Sequence, residues 1–259
     1  MKLAANLSLM FTEVPLLERF QAAKDGGFDV VEIQFPYVET IDNLVSAKNI
    51  AGVEVCLINV PADDLMEGGE GLASVPEKVL QFDEALKLCK QYAKALGVKR
   101  VNVLPGRCLQ QGRAANYRKT LIENLRKAAN LFEKEGVEVT FEAVNTIDMP
   151  NFIIHNCQQM VDIINEVDHK NLKMQFDIYH MQIMDGQVSE SIKNYHQLIG
   201  HIQFADVPGR GEPFTGELNF ATIFQDILDS NYQGYIAAEY RPTVATQNSL
   251  AWMNQLGLS

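Results

Sequence analysis

The chain has 259 residues and a formal net charge of −11, with 47% hydrophobic and 21% charged residues. That composition excludes dominant disorder. With no basic run to offset it, the acidic balance argues against a nucleic-acid partner, whose phosphates the overall field would repel. No run of about 18 apolar residues occurs, so no membrane-spanning helix and no membrane partner are expected. The N-terminal MKLAANLSLMFTEV has no long apolar core and an acidic residue by position 13, which makes a poor secretory signal. Cys56, Cys89, Cys108 and Cys157 are widely spaced, as expected of reduced thiols in a cytoplasmic protein and not of a thiolate zinc site.

Short apolar runs alternate with amphipathic stretches. In chain order, strands are expected over residues 3–8, 28–35, 53–59, 100–104, 137–144, 172–179, 201–206 and 235–240. Helices are expected between them, for example over 77–96 and 116–135. In the second, Leu121, Leu125, Ala128, Ala129 and Phe132 recur at helical spacing. Glycines at 26–27, 52, 97, 136 and 200 each precede a strand, where helices commonly end. Eight units give about 32 residues each, the size of a strand, a helix and their loops. Strict alternation implies a parallel sheet, and eight rounds imply a single α/β domain over residues 1–259, a (β/α)8 TIM barrel. An open doubly wound sheet would show a glycine-rich phosphate turn after a strand, whereas the loop after the first strand reads SLMFTEVP.

Side chains alternate between the two faces of a strand. In 137–144, Val137, Val139, Phe141 and Ala143 form the face expected under helices, so Glu142 lies in the interior phase near the strand end. The same reading puts Asp177 opposite Met174, Phe176 and Ile178, Gln203 opposite Ile202 and Phe204, and Glu239 opposite Ile236 and Ala238. Glu32 is in phase with Val30 and Gln34, and Asn6 and Asn59 sit near strand ends. Barrel active sites occupy the C-terminal rim. Three carboxylates and an amide converging there need a neutralising cation, and all-oxygen donors favour a hard one, Mg²⁺ or Mn²⁺.

The segments AANLSLMFTEVPLLERF, VEIQFPY, FEAVN, LKMQFDIYHMQIMDG, HIQFAD, GRGEPFTGELNF and AAEYRP together resemble the hydroxypyruvate isomerase family. That family sits among the xylose-isomerase-like barrels, beside sugar epimerases and 2-oxo-tetronate isomerases. The resemblance implies that Glu142 and Glu239 are both metal ligands and proton carriers, and that Asp177 and Gln203 are ligands. His201, two residues before Gln203, competes for that ligand role. Three differences bear on the substrate: Asp63 stands where the family usually has Gly, Glu77 directly follows Pro76 where an arginine-bearing loop segment is usual, and Phe214 replaces another Gly.

Such a site supports a ketol isomerisation between hydroxypyruvate and tartronate semialdehyde, with two carboxylates moving a proton through an enediolate. The substrate carboxylate needs a cation, for which Arg107, Arg210 and Arg241 are candidates. His180, three residues after Asp177, is expected to bind a substrate oxygen, with Glu32 and Asn59 nearby. The expected partner is therefore a small hydroxy or keto acid or a sugar acid. The nearest rivals are a 2-oxo-tetronate isomerase or a sugar 3-epimerase, and beyond catalysis a silent metal- or sugar-binding barrel. A metal-dependent endonuclease would want more than the five histidines present and a basic groove. Met10, Phe11 and Met66 on loops leave a homo-oligomer open.

Overall fold

In the computed structural model, which describes residues 2–257, eight parallel strands close into a barrel in sequence order. The strands are β1 (Lys2–Asn6), β2 (Val30–Ile33), β3 (Glu54–Asn59), β4 (Arg100–Val103), β5 (Glu138–Glu142), β6 (Leu172–Asp177), β7 (Ile199–Phe204) and β8 (Tyr235–Ala238). Closure comes from β1, which pairs with both β2 and β8. Helices α1 (Leu16–Asp25), α2 (Ile41–Ala51), α3 (Val79–Leu96), α4 (Ala114–Glu133), α5 (Cys157–Val167), α6 (Ile178–Met184), α7 (Val188–Tyr195), α8 (Phe220–Asp229) and α9 (Ala251–Gln255) surround it. No helix among the described residues is long and apolar enough to cross a membrane.

The apolar strand faces do what their alternation predicts. Val139, Phe141, Met174, Phe176, Ile202 and Phe204 are buried in the layer between barrel and helices. α4 contributes its expected stripe, Leu121, Leu125, Ala128, Ala129 and Phe132, all buried. Truncating Phe132 to Ala there would cost about 3–5 kcal/mol. Beside β7, Phe204 packs edge-on against Phe224 and Trp252, with ring centroids 5.3 Å away in each case.

The barrel interior is built differently. Branched aliphatic side chains commonly fill it, but here Asn6, Glu32, Asn102, Thr140, Gln175 and His201 are buried inside. Only a small apolar plug of Ala4, Val30, Cys56, Leu57, Tyr235 and Ala237 lies below them, toward the N-terminal ends of the strands. Buried polar groups persist only where they are hydrogen-bonded, so this layer specifies its neighbours strictly.

Two expectations are corrected. The sixth strand stops at Asp177 and not at Tyr179, because Asp177 caps a helix: its Oδ1 accepts from the Tyr179 amide at 2.9 Å, and α6 starts at Ile178. Gly200 lies inside β7 and does not end a helix. A β-carbon there would sit 2.7 Å from Glu138 Oε1 and 2.8 Å from Lys173 Cβ, so close strand approach demands glycine.

Candidate active site

The barrel delivers four expected residues to one mouth. Glu142 is the last residue of β5 and Asp177 the last of β6. Gln203 pairs in register with Asp177, and Glu239 follows β8 directly, its amide donating to Phe204 O at 3.0 Å. Above them opens a cavity of about 250 Å³, whose lining includes Glu142, Glu239, His180, Asn59, Arg107 and Arg210.

The two glutamates have unlike surroundings. Glu239 Oε1 accepts from Asn6 Nδ2 at 2.8 Å, Gln34 Nε2 at 2.9 Å and Gln203 Nε2 at 3.0 Å, while Oε2 meets the Arg210 guanidinium. Glu142 Oε2 accepts only neutral amides, Asn102 Nδ2 at 3.1 Å and Gln175 Nε2 at 2.9 Å. Burial raises the Glu142 carboxyl well above its ordinary value, and Glu239 and Asp177 push it further. Burial also raises Glu239, but Arg210 opposes it and the carboxyl settles at about 8. Asp177 is raised by burial, against the pull of Arg210.

His180 carries a defined tautomer. The Asn145 amide donates to Nδ1 at 3.3 Å, and Asn145 Nδ2 lies 2.7 Å from the same atom. Two donors make Nδ1 the acceptor, so Nε2 holds the hydrogen. Nε2 stands 3.4 Å from Asp177 Oδ2 and 3.9 Å from Glu142 Oε1. Burial lowers the imidazole well below its usual range, which keeps it neutral. Glu142, Asp177 and His180 offer donor atoms within 4.8 Å of one another. With its Nε2 protonated, however, His180 is a hydrogen-bond donor there and not a metal ligand.

The residues fit a hard divalent cation. Buried carboxylates converge and raise one another, and the structure sets a cation among them: Arg210 Nη2 lies 3.0 Å from Asp177 Oδ2 and also contacts Glu239. A bound metal would reverse the same repulsion. Gln203 is the exception to the expected geometry. Its Oε1 accepts from Gln175 at 2.8 Å, while its N–H groups face Glu32 at 2.7 Å and Glu239. Its oxygen would face the cluster only after the amide turns, which a cation there would favour.

Glu32, expected to bind substrate, lies below the cavity instead. It is fully buried and accepts from Asn6 Nδ2 at 2.7 Å, Gln203 Nε2 at 2.7 Å and His201 Nε2 at 2.6 Å. His201 is tied to Glu32, so it does not compete with Gln203. Arg241 also lines the mouth but is exposed. Asn59 lines it too, with its Oδ1 accepting from Asn102 at 3.2 Å. Asp63 and Phe214, at two positions of usual glycine, both have left-handed backbones, with φ of 52° and 73°. Sequence reasoning missed Asn145, Gln34 and Tyr179. Tyr179 lies against Arg210, whose guanidinium carbon is 5.0 Å from the ring centroid. The only signal for Asn145 was its place in FEAVN, just past a strand.

The xylose isomerase-like TIM barrel family model matches residues 20–256. Hydroxypyruvate isomerase of Escherichia coli (strain K12) is 38% identical over 254 residues, covering 98% of each chain. The chain belongs to the hydroxypyruvate isomerase family. A 2-oxo-tetronate isomerase of Cupriavidus necator is equally similar, 38% identical over 252 residues and 97% of each chain. The solved structure of an AP endonuclease, family 2, from Brucella melitensis superposes with a TM-score of 0.94 at 34% identity, covering 98% of each chain. Like its curated relatives in the hydroxypyruvate isomerase family, the protein is an isomerase.

Proposed function

We propose that the protein interconverts hydroxypyruvate and tartronate semialdehyde, with Glu142 and Glu239 as proton carriers. The carrying observation is that two buried carboxylates line one cavity in unequal environments. Glu239 is held by Arg210 and three amides, which favour its ionised form. Glu142, whose hydrogen bonds come from neutral amides, is raised well above its ordinary value by burial and by Glu239 and Asp177, which suits it to carry a proton. In one direction Glu239 takes a proton from C3 of hydroxypyruvate. The resulting enediolate receives a proton at C2 from Glu142, while the O3 hydroxyl proton passes to O2. The roles reverse in the other direction. His180 Nε2–H would hold a substrate oxygen, a role supported by its contacts with Tyr179 and Asn145, which orient the ring.

Glu142, Asp177, Gln203 and Glu239 would hold Mg²⁺ or Mn²⁺. When bound, the ion would stabilise the negative charge that develops on the substrate oxygens. The net charge of −11 repels a polyanionic nucleic acid, which favours isomerisation over nucleic-acid cleavage. The substrate is a small acid met in the cytoplasm.

The test is NMR of hydroxypyruvate in D₂O with the purified protein, first with chelator and then with Mg²⁺ or Mn²⁺. Enzyme-dependent conversion with solvent exchange at the migrating position supports the reading. Folded protein giving neither conversion nor exchange overturns it. A second reading, 2-oxo-tetronate isomerisation, is favoured by the equal similarity to that relative. The same exchange signal, read with the four-carbon acid, separates the two.

A further inference from the structure

Three arginines line the cavity, and they are not equivalent. Arg210 is occupied by Asp177 and Glu239. Arg241 is exposed, and its backbone amide donates to Arg210 O at 2.7 Å. Arg107 is half-buried and forms no ion pair among the described residues. Its Nε is withdrawn from solvent and has no hydrogen-bond partner among the described residues. An acceptor entering the cavity would therefore meet the outer Nη groups of a guanidinium that no carboxylate holds.

The backbone beneath Arg107 is fixed from two sides. Its amide donates to Glu70 O at 3.0 Å, and the next amide, of Cys108, donates to Asn151 O at 3.0 Å. The Ile153 amide donates to Gly106 O at 3.0 Å, and Arg107 forms an antiparallel bridge with Phe152. Gly106 has a φ of 93°, and a β-carbon there would lie 2.3 Å from Glu70 O, so the chain passes Glu70 too closely for any other residue. Three rim loops thus present this arginine from a rigid base, which lowers the cost of ordering it on a ligand. Glu142, Glu239 and His180 line the same cavity. A ligand that suits both the guanidinium and this cluster carries a carboxylate and, beside it, a carbonyl or hydroxyl.

We infer that Arg107 binds the substrate carboxylate and makes the site select short 2-oxo and 2-hydroxy acids over neutral ketoses. Arg is suited to this because its planar fork matches a carboxylate bidentately. The inference rests on the isomerase reading for the reaction, but not for the binding.

The test uses the Mg²⁺-loaded protein and its R107Q, R107K and R241Q variants, each first checked for folding by circular dichroism. Glycerate, a non-isomerising acid, is titrated by calorimetry, and neutral dihydroxyacetone by ligand-observed NMR. R107Q is expected to weaken glycerate at least tenfold and leave dihydroxyacetone unchanged, with R107K intermediate and R241Q near wild type. With hydroxypyruvate, R107Q should raise KM at least tenfold and change kcat less than threefold. Unchanged glycerate affinity in R107Q, no glycerate binding by the wild type, or a larger loss in R241Q would each overturn the assignment. If hydroxypyruvate is not turned over but R107Q still weakens glycerate, the isomerase reading fails and Arg107 keeps its role.

Discussion

Glu32→Gln asks whether the polar barrel interior holds the active site in shape. Glu32 is fully buried and accepts three hydrogen bonds, two at Oε1 and one at Oε2. Gln preserves the shape and keeps one acceptor for Asn6 and Gln203. At the other position an NH₂ group now faces the His201 Nε2–H. His201 must then move its hydrogen to Nδ1, a buried atom with no partner, or lose the bond. Either way one charge-assisted hydrogen bond is exchanged for a poorer arrangement, a loss of about 1.5–3 kcal/mol. For a chain of this size each kcal/mol shifts the melting temperature by roughly 2–4 °C, so a fall of about 3–12 °C is expected. Differential scanning calorimetry at pH 7 reads it directly. Turnover should fall as well, although Glu32 does not reach the cavity, because a neutral amide oxygen anchors Gln203 and Asn6 more weakly than the carboxylate does. A melting temperature within about 1 °C of wild type, with unchanged turnover, would show that the interior network does not hold the site.

Glu142→Gln and Glu239→Gln should each lower proton exchange by roughly 10²–10⁴-fold, read by NMR in D₂O; near-wild-type exchange in either removes the two-carboxylate mechanism. Asp177→Asn should chiefly weaken Mn²⁺ binding, measured by calorimetry or electron paramagnetic resonance, and unchanged affinity would exclude Asp177 from the ligand set. The Glu239 carboxyl, at about 8 when folded against an ordinary 4.5, binds its proton more tightly in the folded chain. Its stabilising contribution is therefore complete below about 4.5 and lost as pH rises through about 8. Metal-free protein should melt at progressively lower temperature across that window, and saturating Mg²⁺ should flatten the trend; a metal-free melting temperature that rises with pH would contradict this. Gly106→Ala, with a φ of 93° and Glu70 O in the way, should destabilise by about 1–3 kcal/mol or more in urea unfolding, and a neutral effect would mean that the rim loops are not fixed as described.

What the sequence made legible was periodic or local. Val139 and Phe141 alternating with Glu138, Thr140 and Glu142 gave both the buried face and the phase of the site. The same alternation placed Asp177 and Gln203, which pair across β6 and β7. The boundary at Asp177 was hidden because apolar Ile178 and Tyr179 continue the strand pattern, while the deciding event is a side-chain cap. Glu32 was assigned to the substrate because phase alone does not tell depth along a barrel strand. Its partners Asn6, Gln203 and His201 lie 26, 171 and 169 residues away in the chain. The orientation of Gln203 and the different states of Arg107, Arg210 and Arg241 depend on contacts between loops, which no local pattern records.

The cap at Asp177 also limits how this site can change. One carboxylate has an oxygen engaged in starting α6 and the other turned toward Arg210 and His180. The helix it starts carries His180, so the cap, the proposed metal ligand and the proposed substrate donor form one mechanical unit. Lengthening the side chain by a methylene, as in Asp177→Glu, would shift the start of the helix together with the donor oxygen. Drift at this position is therefore confined, whereas the rim loop bearing Arg107, whose backbone bonds run to Glu70 and Asn151, can vary without moving the cluster. New substrate preferences in such a barrel should arise by exchange of rim residues, with the shared-carboxylate unit passed on intact.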